Sequence, residues 1–266
     1  MAIDRIKQSF SAIREAGRPG LLIFLTAGFP DLEATMELVP ALVEAGADGI
    51  ELGVPFSDPL AEGPIIQESS FKALQQGTTM ERCLDMVDGL RPQVPETPLL
   101  LMGYYNPVLN YGLEQFSLAS KQAGVDGVIV VDLPHDEVQP LAAECSPRGI
   151  HIVPLLAPTS TGENIKAACA GATGFIYCVS LTGVTGTRAE VSTRGLDLVE
   201  RAREETSLPL AVGFGISRRE HVVDVCRRAD AAVVGSALIQ VMLESPRDQL
   251  IRRAQAFVAE LAGNPA

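Results

Sequence analysis

Eight short apolar segments recur along the chain, and the stretches between them have the polar and apolar spacing of amphipathic helices. The segments are Leu21–Thr26, Gly49–Leu52, Leu99–Met102, Gly127–Val131, Ile150–Leu155, Gly174–Val179, Leu208–Val212 and Ala231–Val234. Most are continuously apolar, which is typical of parallel strands covered on both faces. Eight strand-and-helix units predict an α/β fold, a closed (β/α)8 TIM barrel, with an open doubly wound sheet as the alternative.

The 266 residues match one barrel, because such barrels routinely run to ~250 residues as one domain. No linker rich in glycine, serine or proline divides the chain, so we predict a single domain over 1–266. A helical pattern precedes the first segment, formed by Ile3, Ile6, Phe10 and Ile13. This pattern predicts an N-terminal amphipathic helix and not a signal peptide. Further helix starts are predicted by capping boxes at Thr78–Glu81, Ser160–Glu163 and Ser217–Glu220.

The charge and the cysteine content indicate which partners and which cellular location suit the chain. Lysine and arginine number 21 against 33 acidic residues, a net charge of −12 that disfavours nucleic acid and anionic membranes as partners. The same charge repels phosphorylated substrates, so a phosphate site has to be built locally. Five cysteines without a CxxC pair favour a reducing, cytoplasmic location.

Two of the connections between the apolar segments are longer than a barrel requires. Strand starts lie roughly 22–34 residues apart, but the second and third segments begin about 50 residues apart, and a long polar stretch also follows the sixth. Both insertions follow the carboxyl ends of predicted strands, where the loops of these barrels form the active site. Residues 51–64 and 181–195 are therefore predicted site loops.

Lysine and metal chemistry find little support. All four lysines fall in helical stretches, whereas a Schiff base needs a desolvated lysine at the barrel mouth. Only His135 among the three histidines follows a strand on the catalytic side, which is a weak metal signal. We therefore expect no metal and no cofactor bound to this chain.

Carboxylates are the remaining catalytic candidates. Glu51 stands inside an apolar segment, where a charge is costly unless it is paired or used. Burial would raise its pKa, as a general acid requires, while a structural ion pair is the alternative. Glu62 follows in the long loop, with Asp58 before it, and a strand carboxyl facing a loop carboxyl suggests an acid–base pair.

Glycines after the last two segments indicate an anion site. The seventh segment runs into Gly213 and Gly215, and the eighth into Gly235 and Ser236, each followed by a predicted helix. Loops after strands seven and eight that present helix amides form the recurring phosphate site of these barrels. Tight turn packing is the alternative reading of each glycine.

The sequence IELGVPFSDPLAEG at 50–63 resembles the signature of the tryptophan synthase alpha chain family. GVTG at 183–186, GFGIS at 213–217 and GSA at 235–237 fall where that family has its later motifs, and the resemblance covers the whole chain. It implies a lyase of tryptophan biosynthesis. The implied reaction is a retro-aldol cleavage of indole-3-glycerol phosphate to indole and glyceraldehyde 3-phosphate, without metal or Schiff base.

The resemblance also implies roles for individual residues. Glu51 is the implied catalytic acid–base. Glu62 is the implied second acid near the indole N–H, at a position where the family commonly has Asp. The implied residues of the indole pocket are Phe24, Tyr104 and Tyr177, with Met102, Ile129 and Leu155 as its apolar walls. Asp132 is an implied polar residue of the same pocket, and Thr185 is implied to lie near Glu51. The implied phosphate-binding residues are Gly186, Gly215, Gly235 and Ser236.

The implied partner is a pyridoxal-phosphate-containing beta chain in an α2β2 complex, contacted through 54–60 and Asp58. Three other readings stay open at the level of sequence. They are a stand-alone lyase with the same chemistry, a non-catalytic phosphate-binding barrel that activates a partner, and another phosphosugar barrel such as an epimerase.

Overall fold

Parallel strands form one curled sheet in the computed structural model, which describes residues 3–179, 193–213 and 215–264. The strands are β1 (Gly20–Thr26), β2 (Gly49–Gly53), β3 (Leu99–Gly103), β4 (Gly127–Val130), β5 (His151–Ile152), β6 (Leu155–Leu156), β7 (Ile176–Val179), β8 (Leu210–Gly213) and β9 (Ala231–Val234). Their order in the sheet is β5-β4-β3-β2-β1-β9-β8-β7-β6.

The fifth predicted strand is two short strands, which corrects one detail of the prediction. The Val153 amide donates to Val128 O at 3.0 Å, and Pro154 O accepts from the Tyr177 amide at 3.0 Å. The segment thus turns from β4 to β7 around Pro154, which has no N–H to continue a ladder. Because β5 and β6 are the two ends of the sheet and adjoin in the chain, the ring closes, and the predicted TIM barrel is confirmed.

The helices surround this ring. They are α1 (Arg5–Ala16), α2 (Leu32–Glu44), α3 (Pro64–Gln75), α4 (Met80–Leu90), α5 (Tyr105–Tyr111), α6 (Leu113–Ala123), α7 (Gln139–Cys145), α8 (Gly162–Gly171), α9 (Thr193–Glu205), α10 (Arg219–Cys226), α11 (Ser236–Leu243) and α12 (Leu250–Ala262). The predicted N-terminal helix is confirmed as α1, which buries Ile6, Phe10 and Ile13 but leaves Ile3 exposed. None of the helices described here is long and apolar enough to cross a membrane.

Two of the three predicted capping boxes are displaced by one residue, and the third is wrong. Thr79, not Thr78, caps α4 by accepting from the Arg82 amide, and Thr161, not Ser160, caps α8. The α10 helix follows Arg218 and has no side-chain cap. A hydroxyl can cap a helix only from the last non-helical position. At α4 and α8 this position is one residue later than predicted, so the threonine there is the cap.

Side-chain alternation along the strands separates two apolar clusters. Alternate residues of the strands, together with α1, fill the barrel interior: Leu22, Phe24, Leu100, Met102, Ile129, Tyr177, Ala211 and Val233 belong to this cluster. The intervening residues, such as Ile50 and Leu52 on β2, pack against the outer helices. Since successive strand residues point to opposite faces, Glu51 points into the barrel interior.

Candidate active site

A cavity of about 480 Å³ opens at the carboxyl ends of the strands. Its lining residues are Phe24, Glu62, Ile65, Ile66, Met102, Tyr177, Gly215, Ile216, Ser217, Val233, Gly235, Ser236, Ala237, Gln240 and Phe257. This is the face where the site was predicted, and the volume suits a small-molecule ligand. Glu62 is the only charged side chain among these lining residues.

Glu51 is a completely buried carboxyl on β2. Neither carboxyl oxygen has a hydrogen-bond partner among the described residues. Burial, with a further contribution from the negative charge of Glu62, raises the pKa of Glu51 to about 8. Because the described structure provides no ion pair, the carboxyl is mainly protonated at neutral pH and has a proton available to donate.

Glu62 lies at the end of the loop 54–63, between β2 and α3, and is half-buried. Burial raises the pKa of its carboxyl to about 7, below that of Glu51. The loop turns into α3 through the Glu62 amide, which donates to Pro59 O at 3.1 Å, and Gln67 Nε2 donates to Glu62 O at 2.9 Å. Two carboxyls with different pKa values therefore share one site, as the acid–base prediction requires.

Aromatic walls adjoin the two carboxyls. Burial, with contributions from Glu51 and Glu62, raises the pKa of the Tyr177 phenol well above its ordinary value. The Tyr177 side chain reaches over Gly213 of β8, two residues beyond its register partner Ala211, and a Cβ at Gly213 would collide with the phenol oxygen. In the same way a Cβ at Gly53 would lie 2.5 Å from Cζ of Phe24. Glycine at both positions makes room for rings, and neither position has a positive φ.

The opposite side of the cavity consists of backbone and small side chains. Gly215, Gly235 and Ser236 all line it, and Gly215 has a φ of +74° that favours glycine. The α11 helix begins at Ser236 without a side-chain cap, and the first of its amides bonded within the helix turn is that of Ile239, to Gly235 O. The preceding amides are left for an anion, because the first amides of a helix have no intrahelical partner.

No lysine or arginine lines the cavity within the described ranges. Arg219 is directed away from it, since its Nη1 donates to Leu261 O on α12 at 2.7 Å. Arg218 lies beside His221, with Nη2 and Nε2 3.4 Å apart. An anion in this cavity would therefore be held by amides and the Ser236 hydroxyl, as predicted from the glycines.

Some predicted residues lie elsewhere. Tyr104 lines a smaller cavity that shares Phe24, Glu62 and Met102 with the first. Asp132 and the apolar Ile129 and Leu155 are not among the lining residues of the first cavity. Asp132 is exposed and accepts the Tyr105 amide at the start of α5 at 2.8 Å. Thr185 and Gly186, with residues 181–192 of the second predicted site loop, lie outside the described residues.

Five lining residues were not predicted as site residues and lie outside the predicted motifs: Ile65, Ile66, Val233, Gln240 and Phe257. Gln240 follows Ser236 by four residues, one helical turn, and these two are the polar residues of α11, so the sequence contained a signal that Gln240 shares the face of Ser236. Ile66 lies in α3 and Phe257 in α12, and nothing in their local sequence separates them from core positions.

Metal ligation finds no support in the part of the chain that the structure describes, which holds no group of three or more His, Cys, Asp or Glu side chains suited to an ion. His135 lines a separate cavity of about 310 Å³ with residues of α7 and α8.

Comparison with known proteins assigns the family. Residues 10–264 match the family model described as tryptophan synthase alpha chain. The tryptophan synthase alpha chain of Roseiflexus sp. (strain RS-1) is 46% identical over 261 residues, covering 98% of this chain and 100% of that protein. The crystal structure of tryptophan synthase subunit alpha from Legionella pneumophila str. Paris superimposes with a TM-score of 0.90 at 32% identity, covering 99% of this chain and 98% of that one.

A chain of ligand-free tryptophan synthase from M. tuberculosis is similar at a TM-score of 0.89 and 32% identity, covering 98% of this chain and 99% of that one. Sequence and structure agree over nearly the full length, and the chain belongs to the tryptophan synthase alpha chain family.

Proposed function

We propose that Glu51 and Glu62 are the acid–base pair with which this chain carries out its family's reaction, the cleavage of indole-3-glycerol phosphate to indole and glyceraldehyde 3-phosphate. One observation carries the assignment: the buried Glu51 carboxyl has no hydrogen-bond partner among the described residues and points into the barrel, below a cavity whose described lining holds one charged residue, Glu62. A structural role would leave such a carboxyl paired, because an unpaired buried charge is costly.

The proposed mechanism starts with Glu51 protonated and Glu62 ionised, which is the order that their pKa values favour. Protonated Glu51 donates its proton to C3 of the indole ring, which places a positive charge on the ring nitrogen, and ionised Glu62 stabilises that charge. The Glu51 carboxylate then accepts the proton of the glycerol hydroxyl. The carbon–carbon bond breaks, its electrons neutralise the ring, and Glu51 is protonated again.

The phosphate is assigned to the other side of the cavity. The amides at the start of α11, the Ser236 hydroxyl and the backbone at Gly215 would bind it, with Gly186 as an additional predicted contact. Phe24, Met102 and Tyr177 would form the walls beside the indole ring, and Tyr104, Asp132 and Thr185 remain predicted substrate-binding residues.

We expect a bell-shaped pH dependence of kcat/KM for indole release, with its maximum between about pH 7 and 8. Below about pH 7 Glu62 becomes protonated and no longer stabilises the ring cation. Above about pH 8 Glu51 loses the proton that it has to donate. Rates measured from pH 5 to 10 test this, and a flat profile between pH 5 and 7 would exclude ionised Glu62 from the mechanism.

Glu62→Ala is expected to lower kcat by about 10²-fold or more, because the ring cation loses its counter-charge. Glu62→Asp should keep most of the activity, since the carboxylate remains and the family commonly has Asp there. Steady-state kinetics of both variants make the comparison. Equal loss in the two variants would mean that the charge at this position is not what matters.

Members of this family work with a beta subunit, and we infer an α2β2 complex with a pyridoxal-phosphate-containing beta chain for this protein. Support comes from the tip of the loop 54–63, where Leu60 is 92% exposed beside exposed Asp58. Both side chains are therefore accessible to a partner chain. Size-exclusion chromatography of this chain with a beta chain tests the complex. Leu60→Asp should weaken the complex. Elution of the wild-type chain and the beta chain as separate species would favour the stand-alone lyase.

The direct test of function is indole release from indole-3-glycerol phosphate by the purified chain, with and without the beta chain. Absence of release under both conditions would overturn the proposal.

We place the reaction in the cytoplasm because all five cysteines are free thiols and four are buried.

A further inference from the structure

The loop that carries Glu62 is held to the barrel at both of its ends. At the first end, the Ser70 hydroxyl on α3 accepts a hydrogen bond from the Phe56 amide at 3.0 Å and lies 3.3 Å from Phe56 O, to which it donates. Ser70 is only 5% exposed, so water competes little for these bonds. One buried side chain thus satisfies both polar groups of one loop residue.

Tyr104 contacts the loop at both ends. Its hydroxyl accepts a hydrogen bond from the Ala61 amide at 2.8 Å, and its ring packs against Phe56 with centroids 5.0 Å apart at 31°. The side chain is buried and extends from the residue directly after β3, a fixed position on the barrel. A rigid two-torsion side chain between two points of a loop restricts how far they can move.

The segment between the two ends has few contacts of this kind. Ser57, Asp58 and Leu60 are exposed, and the Ser57 hydroxyl bonds only to neighbouring Asp58. Glu62 directly follows Ala61, and its own carboxyl makes no hydrogen bond to any described residue. The position of the Glu62 carboxyl in the cavity therefore depends on the backbone at Ala61.

We propose that Tyr104 and Ser70 are positioning residues, which hold Glu62 in its buried place by fixing the two ends of the loop 54–63. This inference rests on the proposed role of Glu62. It assigns the Tyr104 hydroxyl to the loop backbone at Ala61, while the Tyr104 ring remains a predicted contact of the substrate.

Tyr104→Phe removes the hydroxyl and keeps the ring. We expect kcat for indole release to fall about 10-fold, with KM changed less than about threefold, because displacement of a catalytic group by ~1 Å can lower a rate by up to 10²-fold. The acidic limb of the pH profile should also move to lower pH, since a Glu62 less held in its buried place has a pKa closer to that of an ordinary carboxyl.

Ser70→Ala tests the other end of the loop and should lower kcat in the same direction. Ser70→Thr keeps a hydroxyl and should retain more activity than Ser70→Ala. The matched control is Tyr111→Phe, which removes a phenol hydroxyl at the end of α5 that makes no hydrogen bond among the described residues, and should leave kcat and the pH profile unchanged.

Two readouts separate this inference from the proposed function. Amide hydrogen exchange at Ala61 and NMR titration of Glu62 do not require turnover, and faster exchange with a lower Glu62 pKa in Tyr104→Phe supports the positioning role. Wild-type-like exchange, titration and kcat in both Tyr104→Phe and Ser70→Ala overturn it while leaving the proposed function intact. A wild-type chain that releases no indole overturns the proposed function itself.

Discussion

Glu51→Gln is expected to release indole about 10²–10⁴-fold more slowly than the wild type, because an amide of the same shape has no proton to donate to the ring. KM should change little, since the carboxyl lies below the cavity and is not among its lining residues. Steady-state assays at pH 7.5 measure the effect. Turnover within about threefold of wild type would show that Glu51 is not the acid.

The same substitution should stabilise the fold increasingly as the pH rises above about 5. The pKa of Glu51 is raised from 4.5 to about 8, so the folded chain holds a proton that the unfolded chain releases. The stability from this protonation is complete below about pH 4.5 and is lost as the pH rises toward 8. Glutamine does not titrate, so at pH 7 the variant should be more stable by an amount on the order of 3 kcal/mol.

Urea unfolding of both chains at pH 5 and pH 8 measures that difference, and the advantage of the variant should grow with pH. A structural ion pair predicts the opposite, because removing one partner of a buried pair destabilises the fold by about 3–5 kcal/mol. A variant less stable by the same amount at both pH values would therefore favour the ion pair that the sequence left open for Glu51.

The barrel followed from the sequence because its signal is repeated. Eight apolar segments each had a helical neighbour, so an error in one, such as the segment split at Pro154, did not affect the closure of the ring. Single-residue features were less predictable. The capping hydroxyls at Thr79 and Thr161 differ from the predicted ones by one position, which depends on where the backbone leaves the helix.

Glu51 and the glycines of the site could be found because each violates a local rule: Glu51 is a charge in an apolar strand, and Gly215 and Gly235 are glycines between a strand and the helix after it. Such violations are typical of functional sites. Glu62 violates no such rule, and it was found because its loop is unusually long and follows the strand of Glu51. Phe257 violates none, and it lines the cavity only because α12 packs back over the barrel. The role of Tyr104 in holding Ala61 likewise required the distances of the folded chain.

Gly235→Val is expected to weaken the binding of glycerol 3-phosphate by about 100-fold, the equivalent of about 3 kcal/mol or two charge-assisted hydrogen bonds. A Cβ at Gly235 would lie 3.1 Å from Cδ1 and 3.2 Å from Cβ of Phe24, which is already tight. The further methyl groups of valine must displace either the ring or the turn into α11. A displaced turn redirects the amides that are proposed to bind the phosphate.

Glycerol 3-phosphate is the suitable probe because it lacks the indole ring, so a shift of Phe24 alone does not change its binding. Gly235→Ala adds only the Cβ and should give an intermediate loss, and circular dichroism verifies that each variant is folded. Arg219→Ala is the matched control, since its guanidinium bonds Leu261 O and should contribute less than about threefold. If calorimetry ranked Arg219→Ala above Gly235→Val, the phosphate would be bound by charge and not by helix amides.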